Sequence, residues 1–272
     1  MNPGPDTILV ESELQRGLDC GEVIRVYQAV VDLSSGAPRY VEALLRWDHP
    51  TRGLLWPRDF LPDGDADGVL QVRVGWSVLI EAARRARRWR TLRPDRPLAV
   101  SVNLAPSQLE VRDLAARIGH LLDDNELEPG ALALELSERT MSAGRRARDK
   151  VAAIRNLGVE IVVDDLGAAL GATASDDELA QAAANLVDAR LAAAVDAVKL
   201  DRRLVERLAT TPALLAAVVE RAHREGTPVV ATAVEHEADA LRARAAGFDL
   251  AQGFFFHRPS PPEHIDALVA RP

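Results

Sequence analysis

An α/β fold on a parallel sheet, closed into a barrel, is predicted for this chain by three observations. Short apolar runs rich in β-branched residues alternate with Ala/Arg/Leu-rich helical stretches over most of its length. The alternation follows two extended runs joined by a turn cluster, and it repeats six times. No Pro/Gly/Ser-rich linker separates two halves. Repeating strand–helix units imply parallel strands with helices outside them. Six units plus a hairpin favour a barrel, and 272 residues suit one large (β/α)8 domain. Pattern alone leaves an open sheet, or two small domains, available.

The chain opens with a helical pattern from about Ile8 to Leu18, a lead-in over residues 1–21. Two extended runs, Val23–Leu33 and Arg39–Trp47, flank Ser34-Ser35-Gly36-Ala37-Pro38, and together they read as a hairpin. Later strand runs are Leu98–Leu104, Ala131–Leu136, Val159–Asp164, Ala197–Leu200, Pro228–Val234 and Leu250–Phe256. Phe254-Phe255-Phe256 reads as the buried end of the last strand. Helical stretches lie near Trp76–Trp89, Pro106–Leu122, Ala147–Leu157, Asp177–Ala193, Pro212–Glu225 and Glu237–Ala246. Between Pro57 and Gly68 the chain is irregular. Its Asp63-Gly64-Asp65-Ala66-Asp67-Gly68 looks like a calcium loop but lacks the closing glutamate, so a solvated surface loop is the better reading.

A formal net charge of -8 argues against gripping duplex nucleic acid or an anionic membrane. It does not exclude a small anionic ligand, since one arginine or a metal ion sets the sign of a pocket. The single cysteine, Cys20, has no internal partner, which makes a reducing compartment the default. The N-terminus shows no basic n-region or apolar h-region, and Ala213–Val219 is too short to span a bilayer. A soluble cytoplasmic protein is the expectation. Arg84, Arg85, Arg87 and Arg88 read as a solvated helix face pairing with nearby acids. His49 and His257 lack metal-ligand spacing, so structural roles are expected.

Polar residues gather at the carboxyl ends of the strand runs, where a parallel barrel carries its active site. Glu42, Leu44 and Arg46 share one face of the second run, with Val41, Ala43 and Leu45 on the other. Charges on such a strand cost several kcal/mol unless paired or ligated. Later runs carry Asn103, then Glu135 with Glu138, then Asp164 and Asp165, then Lys199 with Asp201, and finally Gln252. Taken singly, each fits a helix N-cap or a surface ion pair. Together they form a hard oxygen set suited to Mg²⁺, Mn²⁺ or Ca²⁺ rather than Zn²⁺.

At these residues the sequence resembles the EAL family of cyclic di-GMP phosphodiesterases. The matching segments are Tyr27–Leu33, Glu42–Trp47 with His49, Pro50 and Gly53, Ser101–Leu104, Glu135–Glu138, Asp164–Gly167, Val198–Asp201, and Gln252-Gly253 through Pro259. They stand in family order across residues 8–268. The resemblance implies a modified TIM (β/α)8 barrel with an antiparallel first strand, formed by residues 1–272 as a single EAL-type domain. It implies cyclic di-GMP as ligand and linear pGpG as product. By similarity Glu42, Asn103, Glu135 and Asp164 would hold one Mg²⁺ or Mn²⁺, and Asp164 would bridge to a second supported by Asp165. Ca²⁺ would bind and inhibit. Lys199, Asp165 and Glu138 would act in catalysis, with Lys199 positioning the attacking water. Glu138 would anchor the loop after Asp165, and Leu44, Arg46, Gln252, Glu235 and Asp201 would contact substrate.

Three departures from the family pattern bear on activity. Thr232, twenty positions before Gln252, stands where the family carries a glutamate on the second metal. Glu235 lies about 10 Å further on and on the opposite face, if the segment is an extended strand. Gly167-Ala168-Ala169-Leu170 replaces the family's Gly-Thr-Gly-Tyr loop. Asp164 and Lys199 are 35 positions apart, a longer connection than the family has, which places an inserted helical segment over 168–195. Ser175 caps it, and acids follow in its first turn. The leading expectation is a domain that binds cyclic di-GMP with weak or no hydrolysis, one metal site filled and the second deficient. An active phosphodiesterase and a protein-interaction module without nucleotide are the alternatives. A homodimer and a protein partner on the inserted segment both stay open.

Overall fold

In the computed structural model, which describes residues 5–61, 68–141, 144–168, 178 and 195–270, the two opening runs form the hairpin. Strand β1 (Val23–Asp32) pairs antiparallel with β2 (Pro38–His49). Asp32 closes the turn. One of its carboxylate oxygens accepts from the backbone N–H of Ser34 (2.9 Å) and Ser35 (2.8 Å) and from both hydroxyls. These bonds, the Ser34 hydroxyl first, hold the Asp32 carboxyl below its usual 3.8, at about 2. A depressed folded-state pKa contributes stability above the unfolded value that is lost as pH falls through the folded one. Wild-type melting temperature is therefore expected to fall between pH 3.8 and 2 more steeply than that of Asp32→Ala. Parallel curves for the two proteins would remove this turn from the acid response.

After β3 (Gly53–Leu55) come β4 (Ala99–Asn103), β5 (Leu132–Ser137), β6 (Glu160–Leu166), β7 (Ala197–Leu200), β8 (Val229–Ala231) and β9 (Leu250–Gln252). The sheet order is β1-β9-β8-β7-β6-β5-β4-β2-β3, and the additional β1–β2 pairing closes eight strands into a barrel. From β2 through β9 the ring is parallel, while β1 runs antiparallel to both neighbours. The chain thus has the modified TIM barrel architecture. Leu132, Ala133, Leu134 and Glu135 are all buried in succession on β5, as expected for strands covered on both faces.

Several boundaries differ from the sequence expectation. The first long helix runs Gly68–Leu92, well before Trp76. The Pro106–Leu122 stretch divides into Pro106–Leu109 and Leu114–Asp124, broken where Asp113 adopts φ 57. A C-terminal helix, Pro262–Val269, carried no strong periodic signal. The last strand ends at Gln252 rather than at Phe256. Phe254 and Phe255 are exposed, because the chain turns at Gly253, whose carbonyl accepts from the Phe256 and His257 N–H groups. The acidic loop at 62–67 and nearly all of the 168–195 segment lie outside the described residues. The arginine stretch pairs with acids: Arg84 and Arg85 with Glu81, Arg87 with Glu126, Arg88 with Asp266. Among the described residues no helix is long and apolar enough to cross a membrane.

Candidate functional site

Strand periodicity aims alternate side chains of each strand at the barrel axis, and register decides which of them meet. Gln28 pairs with Glu42 across the hairpin, Glu42 with Ser101, Asn103 with Glu135 and Ser137 with Asp164. The result is a polar cup at the carboxyl end of the strands. Lys199 lies at its centre, 2% exposed. Its ammonium donates to Glu42 Oε2 and Glu135 Oε2, each at 2.7 Å, and stands 3.8 Å from Asp164 Oδ1. Gln252 also donates to Glu42 Oε2 (2.7 Å), and Asn103 Nδ2 donates to Glu42 Oε1 (2.8 Å). Gln28, which sequence reading did not single out, accepts from Gln252 (3.2 Å) and donates to the His257 carbonyl (2.8 Å). Its cross-strand position opposite Glu42 was the available signal.

The charge balance of the cup follows from this packing. Burial works against the Glu42 carboxylate, but Lys199, Gln252 and Asn103 together hold it below the usual carboxylate range. Burial, and then Glu42, push the Glu135 carboxyl up to about 8. Asp164 is raised as well, again chiefly by burial. The three acids keep Lys199 well above its ordinary value despite its own burial.

One cation fits here on the chemistry of the donors. Glu42, Glu135 and Asp164 each offer a carboxylate oxygen within 4.8 Å of the others. Glu135 Oε1 is buried without a hydrogen-bond partner. An orphaned carboxylate oxygen inside a protein is costly, and a ligated cation removes that cost. Asn103 turns its amide N–H onto Glu42, which leaves its carbonyl oxygen as a further donor to a metal.

The second cation that the resemblance implies would find a poorer set of donors. Asp165 sits beside Asp164 with φ 54, and desolvation of its carboxyl, then the Asp164 charge, raise it to about 6. Thr232 Oγ1 donates to the Leu200 carbonyl (2.6 Å), so its proton ties the end of β8 to β7. Glu235 lies otherwise than a strand would put it. Strand β8 ends at Ala231 and Ala233 adopts φ 54, so the chain turns and Glu235 lines the same cleft as Thr232. Its carboxylate is already paired with Arg202 (3.2 Å).

Leu44, Arg46, Trp56, Asp165, Asp201, Arg202 and Gln252 also line this cleft, of about 1030 Å³ counting its open mouth. Asp201 doubles as the N-cap of the helix Arg202–Glu206, accepting from the Arg203 N–H (3.0 Å). Glu138 stands away from the cup and accepts from the Gly167 N–H (3.1 Å), which holds the loop after Asp165. His49 accepts from the backbone N–H groups of Thr51 and Arg52, a turn-forming role.

The family profile described as EAL domain matches residues 11–259. The chain belongs to the EAL domain family. This EAL domain is 30% identical over 258 residues to the cyclic di-GMP phosphodiesterase RocR of Pseudomonas aeruginosa, covering 93% of the chain and 62% of RocR. It is 30% identical over 261 residues to an uncharacterized signaling protein of Caulobacter vibrioides, covering 94% of the chain and 29% of that protein. The EAL domain therefore spans less than two thirds of these relatives' lengths. Among solved structures, the PaMucR phosphodiesterase in complex with c-di-GMP superposes with a TM-score of 0.80 at 29% identity, covering 94% of this chain and 99% of that one. An EAL enzyme bound to cAMP and cyclic-di-GMP shares the fold, with a TM-score of 0.83 at 24% identity, covering 97% and 69%.

Proposed function

We propose that this EAL domain binds cyclic di-GMP in the cleft and converts it to pGpG slowly or not at all. The observation that carries the second half is Thr232. Its neutral hydroxyl gives its proton to the Leu200 carbonyl, and by the family resemblance it takes the place of a carboxylate that would support a second cation. The relatives named above support the ligand, and the cup supports one divalent cation, Mg²⁺ or Mn²⁺, held by Glu42, Asn103, Glu135 and Asp164. Such a cation supplies positive charge against the phosphate and makes a nearby water easier to deprotonate.

The rest falls to the protein's own groups. Arg46 brings a fixed positive charge to the cleft wall, suited to a phosphate oxygen. Gln252 and Lys199 both bond Glu42 Oε2, which fixes that carboxylate and leaves its orientation independent of the ligand. Lys199 has a third N–H beyond those given to Glu42 and Glu135, and with Asp164 Oδ1 3.8 Å from its nitrogen this donor is available to orient a water. Asp165, at about 6, is largely ionised at neutral pH and able to accept a proton. What is missing is charge at the second position, and each 1.4 kcal/mol of lost transition-state stabilisation is tenfold in rate.

Thr232→Glu tests this. With Mn²⁺ present, pGpG formation is expected to rise roughly ten- to a hundredfold over wild type, as one restored electrostatic contact to the transition state warrants. An unchanged rate, or a wild-type rate matching that of ordinary family members, overturns the reading. One observation favours a second reading, an active phosphodiesterase: the turn at Ala233 brings Glu235 to the cleft. In that case wild type turns over well and Glu235→Gln abolishes it.

A further inference from the structure

Of the four tryptophans, Trp56 is the exposed one, at 43%, and it lies on the cleft wall. Local structure explains its place. Strand β3 folds back on β2 with Trp47 opposite Leu55 and Asp48 opposite Leu54. One step further along the same antiparallel register sets residue 56 opposite Arg46, with side chains on the same face of the ribbon. The backbone at 56 is pinned there. Its N–H donates to Asp59 Oδ2 (2.9 Å), its carbonyl accepts from the Asp59 N–H (2.8 Å), and Pro57 follows, which favours the extended conformation observed.

Across this ladder the Arg46 guanidinium carbon lies 3.7 Å from the centroid of the Trp56 ring. Arg46 is 3% exposed, and among the described residues its guanidinium has one hydrogen bond, from Nη1 to the Leu45 carbonyl (2.6 Å). Burial lowers its pKa, with Glu42 acting in the opposite direction. A desolvated cation with so few polar partners gains most from an aromatic face, and a stacked guanidinium is held in one plane. That plane matters, because a guanidinium recognises phosphate oxygens through a rigid fork of coplanar N–H groups.

We infer that Trp56 is a positioning residue that holds the Arg46 guanidinium in its phosphate-binding plane, so that nucleotide affinity depends on an aromatic side chain at 56. This rests on the reading of the cleft as a cyclic di-GMP site. A tryptophan that merely covered apolar surface would be replaceable by leucine.

Two measurements separate these ideas. In calorimetry with cyclic di-GMP and Mn²⁺, Trp56→Ala is expected to bind about tenfold more weakly, Trp56→Phe to stay within about threefold of wild type, and Trp56→Leu to resemble alanine. Adding Trp56→Ala to Arg46→Ala is expected to cost nothing more. In the absence of nucleotide, arginine Nε–H spectra are expected to show a ring-shifted, slowly exchanging Arg46 signal in wild type and Trp56→Phe that is lost in Trp56→Ala. Because Trp56 is exposed, all variants should melt within a few degrees of wild type. Wild-type affinity in Trp56→Ala, full rescue by leucine, or independent additive losses with Arg46→Ala would each overturn the inference. If wild type does not bind cyclic di-GMP, the ligand reading fails, and the Arg46 spectra alone then decide whether Trp56 positions that side chain.

Discussion

Lys199→Met is expected to lower folding stability by about 3–5 kcal/mol in the presence of a chelator, the range for removing one partner of a buried ionic cluster. Methionine fills much the same volume, so the loss reports charge rather than a cavity. In wild type, one ammonium satisfies Glu42 and Glu135 and faces Asp164, all deep in the barrel mouth. Without it, three acids share a site with no counter-charge, and they respond by binding protons. Burial pushes the Glu42 carboxyl up, and Lys199 is the foremost group holding it below the usual range. Without Lys199 burial raises it, and a carboxyl whose folded pKa lies above its unfolded value loses stability as pH rises from the unfolded value to the folded one, a loss that wild-type Glu42 does not show. The deficit in Lys199→Met should therefore grow from pH 5 to pH 8. Mn²⁺ should return more stability to the variant than it adds to wild type, because binding to the native state stabilises by mass action. Urea unfolding with and without Mn²⁺ measures both. A deficit below about 1 kcal/mol at pH 8 would mean that the acids are neutralised by something other than Lys199.

The second large effect is expected at Gly253. A methyl group there would lie 2.0 Å from the Val234 carbonyl oxygen and 2.4 Å from its nitrogen, contacts with backbone that no side-chain rotation relieves. The Val234 N–H donates to the Gln252 carbonyl (3.1 Å), and Gln252 in turn holds Glu42. Gly253→Ala must push these segments apart, with an overpacking cost of about 1–3 kcal/mol and the loss of at least one buried hydrogen bond of about 1 kcal/mol. A total near 3 kcal/mol is expected in denaturant unfolding, with a parallel loss of divalent-cation binding. Gly130→Ala is the control, since nothing lies within 4 Å of its added carbon. Equal stabilities for the two variants would show that the 253 backbone accommodates a side chain.

How much of this was legible beforehand depends on which residues carried the pattern. Strands β4 to β7 were recovered within a residue or two, because runs such as Leu132–Ser137 are apolar on both faces and bounded by polar turns. The meeting of the cup side chains is legible too, since charged groups at 42, 135, 164 and 199 break otherwise apolar strands and Lys199 contacts all three acids. Two local errors share one cause, the assumption that an extended run continues. Phe254 and Phe255 look like strand residues, yet Gly253 begins a turn that exposes them. Strand periodicity puts Glu235 on the far face, whereas the left-handed backbone of Ala233 resets that count. Gly53–Leu55 is too short for a periodic signal, so neither β3 nor the neighbour it gives Arg46 could be read from composition.

The reversed direction of β1 decides where the polypeptide enters the barrel. Val23, its first residue, pairs with Trp47, beside Arg46 on the cleft wall, and Glu22 Oε2 accepts from the Trp47 indole N–H (3.1 Å). In an all-parallel barrel the leading strand starts at the floor, on the face remote from chemistry. Here the helix Pro5–Asp19 runs directly into the rim. Asp19, the last residue of that helix, and Trp47 are joined through Glu22 at the rim, on the same side of the sheet as the cleft. The wiring of the ring thus sets the end of that helix next to the Arg46 side of the cleft.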